Sequence, residues 1–440
     1  MAAGLKAPAA PETAEISALD HEGRGIARIG GKAVFVDGAL PGEEVRLQRT
    51  TRRRRHDQAR VLEVLRPSPD RVTPRCAHFG VCGGCALQHL GYARQLDAKG
   101  RIVAEQLERL GGVVPDRWLP PLAGPAWSYR RRARLGCRYV ERKGRVLVGF
   151  RERSSPLLAD LHGCEVLAGN AGGLIEPLAA LIGGLTIMRR VAQVEVAVAD
   201  NATALVLRVL DAPATSDLEA LRAFERAHGV EIHLQSGGLE TVAPISPPGT
   251  PLRYELPGLP AGIRFAPTDF VQVNGEMNRR MVATVLELLS PQPSDRALDL
   301  YCGLGNFTLP LAQRVASVTG VEGDARLVER ARENAQRNGI ANTRFLAADL
   351  ASPQAGAGWA GPHDLVLLDP PRAGAREVLA AVAASLPRRI VYVSCHAGTL
   401  ARDAGILVQE HGFRLAAAGI MDMFPHTAHV ESMALFEPAA

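Results

Sequence analysis

Between residues 14 and 66 the chain alternates apolar and polar positions in short runs, at 16–19, 33–36, 44–48 and 59–65. Gly30-Gly31, Asp37-Gly38 and Pro41-Gly42 punctuate them. Period-two runs broken by turn residues predict strands, and about five of them predict a small barrel of the oligonucleotide-binding kind over 10–67. Residues 67–92 show no period but hold three cysteines. Leu96, Val103, Leu107 and Leu110 then recur at helical spacing, and Gly111-Gly112 ends that helix. Strand-like runs return at 134–140, 146–150, 193–198 and 204–210, and the Pro/Gly-rich stretch 244–260 reads as a linker or surface excursion. From 263 the order changes to strand, helix, strand: short buried strands at 297–301, 317–322, 365–369 and 390–394, with a helix over 325–338 closed by Gly339. That alternation predicts an α/β, doubly wound parallel sheet. The fold class is therefore multidomain α/β: a barrel, a β-rich centre (68–92 and 125–262) and a Rossmann-like domain (263–440).

Length agrees, since 440 residues exceed one ordinary domain. No apolar run approaches the 18 residues of a membrane span. The first fifteen residues lack the apolar core of a secretory signal and read as an Ala/Pro tail. The expectation is a cytoplasmic chain with no membrane association. The net charge is only +5, but 264–440 carries 16 basic and 18 acidic residues while 125–155 carries ten and two. The basic surplus lies outside the last domain, which suits a polyanion or a merely solvated face. The run Arg52-Arg53-Arg54-Arg55 suits phosphate contact or an exposed loop tip.

The cysteine segment reads Cys76-Ala-His-Phe-Gly-Val-Cys82-Gly-Gly-Cys85, with Cys164 a fourth candidate far downstream. Four thiolates suit a [4Fe–4S] cluster or a structural zinc; the spacing of five then two, with a Gly pair, favours iron–sulfur. Cys137, alone on a strand, reads as core. Asp299-Leu-Tyr-Cys-Gly-Leu-Gly-Asn follows a strand and opens a helix, so Gly303 and Gly305 let backbone approach a ligand. The third glycine of the dinucleotide fingerprint is missing, which suits S-adenosylmethionine better than a pyrophosphate. Glu322, 23 residues on, stands where ribose hydroxyls are accepted. Asp349 suits the adenine amino group or a local cap. Asp369-Pro-Pro-Arg372 ends another strand with a rigid loop, and Arg372 replaces the stacking ring of amino-group methylases. Cys395 lies just past a buried strand, placed as a nucleophile or as a structural thiol. Glu431 stands among polar residues near the C-terminus.

These pieces resemble the RNA uracil-5 methyltransferases. The resemblance rests on Phe270-Val-Gln-Val-Asn274, the Asp299 turn, Asp369-Pro-Pro-Arg-Ala-Gly374, Val393-Ser-Cys395 with Thr399-Leu-Ala-Arg-Asp403, and His429-Val-Glu-Ser432. With a front barrel similar to a TRAM domain and the four cysteines, the chain resembles the 23S ribosomal RNA branch. The resemblance implies Cys395 as nucleophile and Glu431 as general base. It implies Gln272, Tyr301, Asn306, Glu322, Asp349 and Asp369 around S-adenosylmethionine, and Cys76, Cys82, Cys85 and Cys164 around a [4Fe–4S] cluster. It also implies that 93–124 packs with the catalytic domain, that the partner is 23S rRNA, and that no protein partner is obligatory. One departure stands out: the family has Asn-Pro after the nucleophile, and here His396-Ala397 follows. A tRNA uracil-5 methyltransferase and a non-catalytic iron–sulfur RNA-binding protein are the alternatives.

The residue types suit the chemistry independently. Uracil C5 is a poor nucleophile until a thiolate adds at C6. A carboxylate must then remove the C5 proton. The base must be unstacked to be reached.

Overall fold

The computed structural model describes residues 10–352 and 358–439; the tail reading of residues 1–9 lies outside them. The chain forms two compact units, one of residues 1–102, 153–155 and 425–429, the other of 103–152, 156–424 and 430–440.

The first unit carries a six-stranded sheet in the order Glu12–Glu15, Glu44–Arg52, His56–Arg66, Lys32–Asp37, Gly25–Ile29, Ala18–Leu19. Alternation puts Val34, Val36, Val45, Leu47 and Ala59 into its core. The expected strand at 16–19 is instead divided. Glu12–Glu15 ends before Ile16, which is buried at the corner, and its amide donates to Glu43 O. The tail reading therefore fails from Glu12 onward. Three register shifts interrupt the pairing of Glu44–Arg52 with His56–Arg66, the irregularity that strengthens twist. The buried Asp57 carboxylate accepts from Lys32 Nζ (2.6 Å), from the Arg53 amide and from Arg49. These donors outweigh its desolvation and hold it down at about 2. Beyond the sheet, 67–91 is turns and bends, followed by the helix Tyr92–Gln106.

The second unit takes up the chain at Val103, within that helix, whose last turn widens to a π-helix, Leu107–Gly111. Gly111 lies against Ala401 and Gly405 on the helix Ala397–His411, where a Cβ on Gly111 would stand 2.5 Å from Ala401 O. The stretch then adds Arg117–Trp118 to the edge of an eight-stranded sheet. That sheet runs Thr343–Ala347, Ser317–Glu322, Arg296–Leu300, Leu365–Leu368, Arg389–Ser394, Glu431–Pro438, Phe413–Met421, Arg117–Trp118. The first five strands are parallel, and Glu431–Pro438 is antiparallel to both its neighbours. The strand order reverses between Arg296–Leu300 and Leu365–Leu368, and at such switch points ligands bind beyond the carboxyl ends. The helix Ala325–Arg337 ends as expected, with Gly339 at φ +68°.

A second sheet in this unit runs Ala243–Pro244, Glu231–Gln235, Thr203–Val209, Val191–Val198, Arg132–Val140, Arg145–Gly149. The stretch read as a linker instead forms a hairpin, Leu252–Leu256 with Leu259–Phe265. Its Leu252, Tyr254, Leu256, Ile263 and Phe265 join the core that contains Met281, Val285 and Leu309. Prolines and glycines hid an alternating apolar face, and Gly258 (φ +82°) makes the turn. Among the described residues no helix is long and apolar enough to cross a membrane.

Candidate active site

Two loops and one strand end meet at the carboxyl edge. The strand Arg389–Ser394 pairs with Glu431–Pro438 so that Ser394 faces Ser432. Continuing the ladder by one step sets Cys395 across from Glu431. On the other side Leu368 pairs with Tyr392, so Asp369 emerges beside the same strand. Gln272 reaches Asp369 from a separate segment, Nε2 to Oδ2 at 3.5 Å.

The electrostatics follow from dryness. Glu431 is 6% exposed, and burial pushes its carboxyl up to about 7. Asp369 is pushed up to about 8 by burial, with the Glu431 charge adding to it. Burial, then Glu431, then Asp369 raise the Cys395 thiol above its ordinary value, while the Arg372 guanidinium opposes them. The resting thiol is therefore protonated at neutral pH, and losing one carboxylate charge makes it more acidic.

The glycine turn is built as the sequence suggests. Gly303 and Gly305 lie at φ +54° and +90°, and Tyr301, at φ +66°, stands in a region non-glycine residues seldom occupy. Asp299 is fully buried beneath the turn; Thr308 Oγ1 donates to its Oδ2 at 2.5 Å and burial pushes it up to about 7. Glu322 ends its strand and accepts from the Gly303 amide at 3.1 Å and the Asp324 amide at 3.0 Å. Asp349 is exposed and its carboxylate accepts from the Ala351 amide.

Asn306 is held by two neighbours. It exchanges two hydrogen bonds with Asn278 (2.8 and 2.9 Å), and Tyr254 Oη donates to its Oδ1 at 3.0 Å. Asn278 and Tyr254 were not anticipated. Asn278 lies on the helix Gly275–Leu289 beside the buried Met277, Met281 and Val285, and nothing in the sequence marked it as a polar partner.

His396 also has a definite role. It is the N-cap of Ala397–His411, and its Nδ1 accepts from the Thr399 amide at 3.2 Å. An asparagine there would cap through its side-chain oxygen. The imidazole substitutes for it, so the departure from Asn-Pro leaves the cap in place. Ala397 fits the first helical position, where proline is favoured but not required.

Of the cysteines, Cys137 is buried as expected, and desolvation pushes its thiol up to about 12. Cys76, Cys82 and Cys85 lie on the irregular segment of the first unit, where the Gly84 amide donates to Cys82 Sγ at 3.4 Å. Cys164 belongs to the second unit. Among the described residues no group of three or more His, Cys, Asp or Glu side chains is assembled to hold a metal ion.

Residues 258–352 and 362–438 match the family profile described as tRNA (uracil-5-)-methyltransferase. Residues 13–69 match that of the TRAM domain of tRNA (uracil(54)-C(5))-methyltransferase. The chain is 54% identical over 435 residues, 98% of each chain, to the 23S rRNA (uracil(1939)-C(5))-methyltransferase RlmD of Alkalilimnicola ehrlichii. The chain belongs to the 23S rRNA (uracil-C5)-methyltransferase family. The family member of that same name in Methylococcus capsulatus is 51% identical over 432 residues, 98% of both chains. The fold is also that of Pyrococcus abyssi tRNA (uracil-54, C5)-methyltransferase, solved with S-adenosyl-L-homocysteine, at a TM-score of 0.74 and 23% identity, covering 97% of this chain and 100% of that one.

Proposed function

We propose that this chain transfers the methyl group of S-adenosylmethionine to C5 of a uridine in 23S rRNA. The observation that carries the reading is that Cys395, one residue past the strand Arg389–Ser394, follows the Ser394–Ser432 pair and so stands by the start of the strand Glu431–Pro438 at the carboxyl edge, where the Glu431 charge acts on its thiol. Cys395 gives up its proton to solvent, its thiolate adds to C6, and the electron pair moves to C5 as an enolate. C5 attacks the sulfonium methyl and S-adenosylhomocysteine departs. Glu431 takes the C5 proton, and the returning electron pair expels the thiolate and restores the C5–C6 double bond. A carboxylate in a dry site, already pushed up to about 7, is suited to that proton transfer at neutral pH.

S-adenosylmethionine would lie along the edge formed by Gln272, Tyr301, Asn306, Glu322, Asp349 and Asp369. Glu322 stands at the ribose position. Asn278 and Tyr254 hold Asn306 in place there. Phe270, 72% exposed beside Val271 and Gln272, offers a ring on which an unstacked RNA base can rest. The first unit is proposed to work as an RNA-binding barrel. Cys76, Cys82, Cys85 and Cys164 are proposed as ligands of a [4Fe–4S] cluster. Thiol donors and the amide directed at Cys82 Sγ suit it, and its contribution would be to hold RNA-binding structure together rather than to take part in methyl transfer. The His396 cap removes the sequence ground for a non-catalytic reading.

The test is covalent trapping. With 23S rRNA and S-adenosylmethionine, Glu431→Gln accumulates a protein–RNA adduct, and Cys395→Ala forms none and transfers no methyl. Methylation by Cys395→Ala near the parent rate would remove the nucleophile assignment.

A further inference from the structure

We propose that Asp403 is a positioning residue for the methyl transfer. Resting on the assignment of Cys395 above, it locks the 369–374 loop in register with the nucleophile. Asp403 is fully buried on the helix that begins just after Cys395. Its Oδ2 accepts from Tyr392 Oη at 2.7 Å, and Tyr392 lies on the strand leading into Cys395. The same oxygen accepts from the Ala375 amide at 2.8 Å, at the end of the loop that carries Asp369 and Arg372. Arg402 Nε donates to Oδ1 at 2.8 Å, and Arg402 Nη2 donates to Ala373 O at 2.9 Å.

The loop is shaped to meet this lock. The Gly374 amide donates to Pro371 O at 2.9 Å, which closes a turn with Arg372 and Ala373 at its tip. Gly374 stands at φ +89°, and a Cβ there would lie 2.4 Å from Arg402 Nη2 and 2.6 Å from Asp403 Oδ2. Only glycine permits the loop to sit so close.

A single carboxylate thus ties together three pieces of backbone. Two of them flank the nucleophile, and the third holds the charges that act on it: Asp369 disfavours the thiolate and Arg372 favours it. A rise of an ångström in the loop would change both influences without touching Cys395. Packing alone would need no such convergence of donors on one buried charge.

The decisive variant is Arg402→Met, because Arg402 is 38% exposed and its loss leaves the core filled. Asp403→Asn is the companion, and if it does not fold Arg402→Met decides alone. The readouts are the melting temperature, the pH profile of Cys395 alkylation by iodoacetamide followed by peptide mass spectrometry, and single-turnover methylation of 23S rRNA. The expected result is folded protein whose alkylation midpoint moves by half a pH unit or more. Its single-turnover rate falls at least tenfold while KM for RNA changes less than threefold, and Arg402→Lys recovers part of the rate. A variant with the parent's alkylation profile and turnover, whatever its melting temperature, would overturn the proposal. Failure of the underlying assignment is separable, because Cys395→Ala in the otherwise unchanged protein would then still methylate.

Discussion

Glu431 and Asp369 are carboxylates that lose most of their water on folding, and both hold protons more tightly than in the unfolded chain. Between the ordinary carboxylate range and about 8 the folded state binds more protons than the unfolded one. The ligand-free protein therefore loses stability as pH rises through that window. Below the ordinary histidine range the buried His89 and His233 and the half-buried His363 act in the opposite sense, so melting temperatures should fall from about pH 6.5 to 8, and Glu431→Gln should flatten that slope. Activity should run the other way. A base pushed up to about 7 must be ionised to act, so the breakdown of the methylated protein–RNA adduct in single turnover should speed up through pH 7, and Glu431→Gln should lack that rise. At Phe270 the account predicts a rise in Kd for RNA of about five- to 150-fold on Phe270→Ala, since one base stacked on an aromatic ring contributes ~1–3 kcal/mol; binding isotherms would check it.

At the scale of elements, the helix Ala397–His411 depends on the His396 cap. His396→Ala should lower stability by about 1 kcal/mol, the usual worth of a cap, while His396→Asn should restore it in denaturant unfolding. Much of this scale was legible beforehand. Alternation exposed most strands, and helical spacing found the helix before Gly111-Gly112 because burial imposes those periods. The miss at Leu252–Leu256 and Leu259–Phe265 came from prolines and glycines at its turns, which outweighed its short apolar face. The division at Ile16 was invisible because a corner residue and a strand residue are equally apolar. The site divides the same way. Cys395, Glu431 and Asp369 could be named because their types carry chemistry, and Gln272 only through the family resemblance. Asn278, Tyr254, Arg402 and Tyr392 act only through contacts made by residues far apart in sequence, and no local pattern records such contacts.

At the scale of the molecule, charge and chemistry are separated along the chain: the last 177 residues carry 16 basic and 18 acidic residues, and the basic surplus precedes them. The four arginines at 52–55 are all exposed. Replacing them by serine should weaken RNA binding and reduce the slope of log affinity against log salt by about one unit per lost phosphate contact, with single-turnover chemistry at saturating RNA preserved. The most direct measurement on the whole chain is transfer of labelled methyl from S-adenosylmethionine to protein-free 23S rRNA and, separately, to unmodified tRNA, with the product nucleoside identified by mass spectrometry. The account predicts 5-methyluridine at one site of 23S rRNA and none in tRNA. Label in tRNA alone, or no label in either RNA, would contradict it.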